Sequence, residues 1–308
     1  MPSILFVKTS SLGDVVHNCP AVSDVARSVP AAEIDWVVEE GFAGIAALHP
    51  AVRRVIPVAV RRWRSALWQP RAWREMRALR DRLASSRYDC IVDTQSLLKS
   101  ALIACLSRGP RHGMDGASAR EPLAARFYDV LHAVPQGRHA VERNRALAAQ
   151  ALGYSITGAA LDYGLRARPA TAPAGSYTVL LTMTSRADKL WPEQRWIELG
   201  RRLGARLELP WGNEVERERA VGIAAQLPAA HVPERLGFEA LASLFCGARA
   251  VIGLDTGLTH FAAALGAPTV GIYCGSDPAL TGLYGLQQAR NVGAMGRAPG
   301  VDEVLNAL

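Results

Sequence analysis

Residues 4–17 read I-L-F-V-K-T-S-S-L-G-D-V-V-H: an apolar run, a short polar turn and the opening of a helix. The run Ile4 to Lys8 is too short for a helix and lacks the alternation of a half-buried strand, so it predicts a strand covered on both faces. T-S-S-L-G-D supplies the turn, and a helix is expected from about Asp14 to Ser28. The same unit recurs. Glu33–Glu39 (E-I-D-W-V-V-E) and Arg54–Val60 are further strand candidates, Pro70–Ser85 a helix, Tyr88–Asp93 a strand and Ser96–Leu106 a helix. Strands alternating with helices in this rhythm predict an α/β protein with a doubly wound parallel sheet.

The rhythm then restarts. Tyr177–Thr182, Arg206–Leu209, Ala250–Leu254 and Pro268–Cys274 are strand candidates; Pro192–Leu203, Glu214–Gln226 and Phe238–Gly247 are helices. Between the halves, residues 166–175 (R-A-R-P-A-T-A-P-A-G) carry Pro, Ala and Gly without periodicity, as a linker does. The expectation is two Rossmann-like domains, 1–168 and 169–308, facing each other across a cleft at the carboxyl ends of their sheets, where open α/β sheets bind ligands. A length of 308 residues suits two such cores.

With 49% hydrophobic and 20% charged residues, the composition excludes a disordered chain. Five scattered cysteines, none in a C-x-x-C pair, argue against a disulfide framework or a zinc site and fit a reducing cytoplasm. The start is too short an apolar run for a signal peptide, and no stretch has the apolar length of a spanning helix. A soluble or membrane-associated protein is expected. Charge is concentrated: residues 53–87 hold eleven arginines and two acids, a net +9 that exceeds the +7 of the whole chain. Such a segment suits a polyanionic partner, whether nucleic acid, lipid headgroups or a phosphorylated substrate. In Arg71–Arg82 the helical spacing also fits a plain solvated face, whereas Arg61, Arg62 and Arg64 fall where a loop is expected.

Two loops put a carboxylate and small residues between a strand and a helix. In Lys8–Asp14, Gly13 permits the turn, Ser10 and Ser11 offer hydroxyls, and Asp14 is either a helix N-cap or a general base. In G-L-D-T-G-L-T-H (253–260), a Gly-containing turn before a helix exposes N–H groups suited to a diphosphate. It has neither P-loop nor dinucleotide spacing. There His260 is either a ligand or a core histidine. T-M-T-S-R-A-D-K (182–189) is either a polar turn or a phosphate-binding stretch through its hydroxyls and Lys189.

The loop at 7–17 and W-V-V-E-E-G-F-A (36–43), V-I-P-V-A-V-R-R-W-R (55–64), D-T-Q-S-L-L-K-S-A (93–101), A-R-E-P-L-A (119–124) and H-A-V-E-R (139–143) resemble the lipopolysaccharide heptosyltransferases of glycosyltransferase family 9. So do D-K-L-W-P-E-Q-R-W (188–196), L-P-W-G (209–212) and D-T-G-L-T-H (255–260), in order across nearly the whole chain. R-R-W-R and A-R-E-P-L favour the type I branch. The resemblance implies a GT-B fold and inverting, metal-independent transfer of heptose from ADP-heptose to the Kdo of Kdo2-lipid A, without a cofactor. It implies Asp14 as catalytic base. Thr184, Ser185, Lys189, Glu216, Leu236, Asp255, Thr256, Gly257, Leu258 and His260 would bind the donor, with Glu216 at the ribose and Leu236 at the adenine. Ser10, Ser11, Gly13, Arg61, Arg62, Arg64, Lys99, Arg120, His139 and Arg143 would meet the acceptor. A monomer at the cytoplasmic face of the inner membrane, with no nucleic-acid partner, is the corresponding expectation. The competing readings are a type II heptosyltransferase, another nucleotide-sugar GT-B transferase, a non-catalytic sugar-nucleotide module and an arginine-rich nucleic-acid binder.

Overall fold

The computed structural model describes residues 1–167 and 175–308. The chain divides into two compact units, Met1–Gly164 and Leu165–Leu308. The expected boundary at 168/169 lies outside the described residues, as does most of the expected linker.

Unit 1 is built on six parallel strands: β1 (Ser3–Val7), β2 (Glu33–Glu39), β3 (Val52–Val58), β4 (Cys90–Asp93), β5 (Arg111–Met114) and β6 (Val130–His132). Their order, β3-β2-β1-β4-β5-β6, places β1 between β2 and β4. Ile4, Leu5, Phe6 and Val7 are fully buried because the centre of a parallel sheet is covered on both faces. On one face Leu5, Val7, Val37, Ile56 and Ile91 pack with Trp63, Leu79 and Leu83, the last two from the helix Pro70–Ala84. The helix Ala140–Leu152, which periodicity did not suggest, returns to the helix Leu12–Ser28. Asn144 Nδ2 donates to the His17 carbonyl at 3.0 Å, and Arg145 pairs with buried Asp24 at 2.6 Å.

Unit 2 repeats the plan with β7 (Tyr177–Leu181), β8 (Arg206–Glu208), β9 (Ala230–His231), β10 (Ala250–Leu254), β11 (Thr269–Tyr273) and β12 (Ala289–Gly293), in the order β12-β11-β10-β7-β8-β9. Its core joins Leu180, Ile252, Leu254, Val270 and Ile272 to Trp191, Trp196 and Ile197. The two indoles meet edge to face at 5.0 Å.

Three local expectations change. Arg61, Arg62 and Arg64 lie in a short helix, Val60–Ser65, because Trp63 turns inward and buries against the sheet. The strand before them ends at Val58. Unit 2 does not close with β11, since β12 pairs beside it in parallel. In both sheets the strand order reverses at one place, between β1 and β4 and between β7 and β10. Each such switch point leaves a crevice at the carboxyl ends of the strands. No helix among the described residues is long and apolar enough to cross a membrane.

Candidate active site

At the first switch point the backbone of the β1 loop is held from β4. Gln95 Oε1 accepts from the Thr9 and Ser10 N–H groups at 3.0 and 3.1 Å, and Lys8 Nζ donates to the Thr94 carbonyl at 2.8 Å. Gln95 and Ser96 are themselves turned by the buried Asp93 carboxylate, which accepts both of their N–H groups and the Tyr128 hydroxyl. The helix Leu12–Ser28 begins at this braced loop. Its N-cap is Ser11, not Asp14: Asp14 is the third helical residue, and its Oδ2 accepts from Ser11 N–H at 2.8 Å and Oγ at 3.1 Å. A reciprocal capping box of this kind satisfies orphan donors at the helix start. Asp14 Oδ1 takes, among the described residues, only a long contact of 3.4 Å from Arg120. Burial acts to raise the Asp14 carboxyl, but Lys8, Arg120 and the two Ser11 donors hold it below its ordinary value of 3.8. It is an anion at neutral pH.

The cations around it come from distant parts of the chain. Lys8 is buried, and loss of hydration pushes its ammonium down to about 8 even though Asp14 and Asp93 act to raise it. Lys99 donates to Ser10 Oγ at 2.8 Å; burial lowers its affinity for the proton, with Glu39 and Asp14 acting the other way and Arg61 and Arg120 reinforcing the fall. Arg61 is anchored through its N–H to Glu39 Oε1 at 3.0 Å, and its guanidinium lies 5.4 Å from the Phe42 ring centre. Arg143 donates to the Ser118 carbonyl and, at 3.2 Å, to Met114 Sδ; its Nε is buried without a partner. Burial and the charge of Arg120 depress its basicity. His139 caps the same helix through Nδ1, which accepts from Val141 N–H at 3.2 Å, with its ring edge-on to His17 at 5.3 Å. Arg62 differs from these. It is paired with Glu40 at 3.0 Å and Glu75 at 2.8 Å, while Arg64 is exposed beside it. Gly13 lies in the first turn of the capped helix.

At the second switch point the centre is Asp255, at the end of β10. Its Oδ2 accepts from Lys189 Nζ at 2.5 Å and from Ser276 Oγ, and its Oδ1 lies 3.3 Å from His260 Nε2. Burial would raise this carboxyl, yet His260, Lys189 and Ser276 hold it far below the usual carboxylate range. Thr184 Oγ1 donates to the Asp255 carbonyl at 3.0 Å, joining the β7 loop to the β10 loop. The helix Gly257–Ala264 starts here with Thr256 as N-cap and no side-chain cap, so Thr256, Gly257 and Leu258 present the first turn's N–H groups. Gly253 is required beneath it: a Cβ there would stand 2.2 Å from Thr259 Oγ1 and 2.9 Å from Leu181 Cβ. Ser185 is exposed next to the Arg186–Asp188 ion pair.

Glu216 repeats the local part played by Asp14. It is the third residue of the helix Glu214–Ala224, accepting from Gly212 N–H at 2.7 Å while Asn213 caps Glu216 N–H at 3.1 Å. Leu236, half-buried, stands between β9 and the helix Phe238–Gly247. Lys8, Glu39, Gln95 and Ser276 were not singled out from sequence. For Lys8 and Glu39 the available signal was a charged residue at the very end of a buried strand; Gln95 and Ser276 lie two and three residues beyond their strands and carry no such signal. Among the described residues, no group of three or more His, Cys, Asp or Glu is arranged to hold a metal ion.

Comparison with known proteins gives consistent matches. Residues 76–304 match the model of glycosyltransferase family 9 (heptosyltransferase). Lipopolysaccharide heptosyltransferase 1 of Pseudomonas aeruginosa is 50% identical over 92% of this chain and 82% of its own length. The Escherichia coli K12 protein of the same name is 45% identical over 92% of each. Among solved structures, E. coli heptosyltransferase WaaC with ADP superposes with a TM-score of 0.90 at 42% identity, covering 98% of this chain and 96% of that one. WaaC with ADP-2-deoxy-2-fluoro heptose gives 0.87 at 41%, over 99% and 97%. E. coli ADP-heptose lps heptosyltransferase II shares the fold at 0.75 but only 21% of the sequence, over 100% and 97%.

Proposed function

The chain belongs to glycosyltransferase family 9, the heptosyltransferases, and on that premise we propose that it transfers heptose from ADP-heptose to the Kdo of Kdo2-lipid A, as the first heptose of the lipopolysaccharide core. The observation that carries this reading is Asp14: a carboxylate kept ionised at the crevice of a doubly wound sheet and surrounded by Lys8, Lys99 and Arg120. The type I assignment is supported by the heptosyltransferase 1 proteins of P. aeruginosa and E. coli K12, 50% and 45% identical, against 21% for the type II structure.

In the proposed reaction an acceptor hydroxyl oxygen bonds to C1 of the heptose while the C1–O bond to the β-phosphate breaks, and ADP leaves with the electron pair. Attack from the opposite face inverts C1. Asp14 takes the hydroxyl proton. A base of low proton affinity suits a late transfer, when the oxygen is already bonding to carbon and its proton has become acidic. Lys189 and the first-turn N–H groups at Thr256–Leu258 meet the charge that grows on the leaving diphosphate without a metal. Thr184, Ser185 and His260 complete that donor side, with Glu216 at the ribose and Leu236 at the adenine. The cationic wall of Arg61, Lys99, Arg120 and Arg143, together with His139, suits a substrate bearing phosphates and carboxylates. Arg62 would have to give up its acids to join them. The acceptor being a lipid, the reaction would run at the cytoplasmic face of the inner membrane, and a monomer holds all the residues invoked.

The test is acceptor choice. ADP-heptose is supplied with Kdo2-lipid A or with the same lipid already carrying one heptose, in EDTA, and product mass is read. Transfer to the first alone is expected. Transfer to the second alone would assign type II, and inhibition by EDTA reversed by Mg²⁺ would overturn the metal-free step.

A further inference from the structure

Beyond the crevice, unit 1 carries an aromatic and basic surface that no contact within the described residues explains. Of the three tryptophans in residues 61–84, Trp63 is buried and donates to Glu75 at 2.8 Å. The other two face water: Trp68 is 77% exposed and Trp73 60%, with Leu67 at 49%. They form one patch, because the Trp73 indole N–H donates to the Leu67 carbonyl at 2.7 Å and pins the loop to the first turn of the helix Pro70–Ala84. Single exposed apolar residues are ordinary, but two indoles and a leucine together mark a contact surface.

The surrounding charge identifies the partner. The helix buries Ala72, Leu79 and Leu83 and turns the opposite side outward. Beside the buried stripe Trp73, Arg77 and Arg80 share one exposed face at i, i+4 and i+7. Arg53, Arg54, Arg62, Arg71 and Arg80 are neutralised by nearby acids. Arg64, Arg74 and Arg77 are exposed and, among the described residues, make no ion pair. An isologous contact with a second copy would set these guanidiniums against one another. A bilayer with anionic headgroups matches both halves of the surface: indoles settle at the depth of the headgroups, and arginine stems run beside them with their charges on phosphate.

We propose that Leu67, Trp68 and Trp73, flanked by Arg64, Arg74 and Arg77, dock the protein on an anionic lipid surface. The proposal rests on the lipid-acceptor reading, and the patch continues directly from the helix that holds Arg61 and Arg62. Docking here would present the acceptor side of unit 1 to lipid headgroups.

The test floats the full chain with vesicles of phosphatidylglycerol and phosphatidylethanolamine or of phosphatidylcholine alone. Binding to the anionic vesicles only is expected, with the tryptophan emission shifting to the blue. The double change Trp68→Ala and Trp73→Ala should cut binding by about tenfold or more through lost apolar burial. Arg74→Gln with Arg77→Gln should cut it roughly thirtyfold through two lost surface charges. Both variants should keep wild-type kcat/KM on a deacylated acceptor free in solution, which also checks their folding; if the tryptophan pair does not fold, the arginine pair decides. Equal binding to both vesicle types, or to neither, overturns the proposal. So does wild-type preference for single-stranded RNA over vesicles at the same salt, lost in the variants, or a dimer that the tryptophan changes dissolve. Heptose transfer without vesicle binding would sink the docking surface and leave the activity standing; vesicle binding without transfer would do the reverse.

Discussion

Lys8 and Asp14 set the electrostatics of the unit 1 crevice together. Lys8 is a charge buried at the end of β1, and its lowered proton affinity has a consequence for stability. Below pH 8 it is protonated in both folded and unfolded chains, so the cost of burying its charge is fully present. Between about 8 and the ordinary 10.5 the folded chain has released a proton that the unfolded chain retains, and stability rises with pH. Thermal unfolding of Lys8→Met against wild type should therefore show a wild-type gain on the order of 3 kcal/mol across that window that the variant lacks. A parallel pH dependence in both would refute the burial argument. In unit 2, Lys189→Ala should raise the KM for ADP-heptose by about ten- to a hundredfold, the worth of a hydrogen bond to a charged group. Initial rates at varied donor check this, and an unchanged KM would remove Lys189 from the donor side. Sequence spacing had left Asp14 open between cap and base. The structure makes Ser11 the cap and Asp14 its partner in the box, the S-x-x-D spacing that residues 11–14 carry ahead of Val15 and Val16.

At the scale of elements, the central strands were legible because burial on both faces leaves an unbroken apolar run, as in Ile4–Val7 and Ala250–Leu254. Four strands away from the centre were not, although the edge strand Val52–Val58 was. Arg111–Met114 reads R-H-G-M, Val130–His132 and Ala230–His231 are only three and two residues long, and Ala289–Gly293 carries Arg and Asn. Val130–His132, Ala230–His231 and Ala289–Gly293 are edge strands, which need neither length nor apolarity and so leave little pattern to read. The helix Val60–Ser65 was missed for another reason. Three arginines outweighed the single inward Trp63 that makes the segment helical. Gly253 shows the converse, a residue whose role is invisible until β10 and the following helix are seen in contact. Gly253→Ala should lower stability by about 1–3 kcal/mol through overpacking against Thr259 and Leu181. Denaturant unfolding measures it, and a neutral result would mean that the helix start can shift aside freely.

For the whole molecule, two six-stranded sheets of the same strand order each place an Asp-containing loop at their own switch point. The sequence made that duplication visible through its restarted rhythm and its two Asp-containing loops. It did not reveal that Arg120 and Lys99 act on Asp14, with Arg143 close to Arg120 and His139 against His17, since the turns and the returning helix that bring them there lack periodic signals. Only the ordered family motifs pointed to them. The decisive measurement follows ADP release and acceptor mass together, with ADP-heptose and Kdo2-lipid A in EDTA, for the wild-type protein and Asp14→Asn. The wild type should release one ADP for each heptose added to the acceptor. Asp14→Asn, which keeps the size of the side chain, should lose about two to four orders of magnitude in kcat with its fold intact. ADP release without a heavier acceptor, or full turnover by Asp14→Asn, would contradict the account.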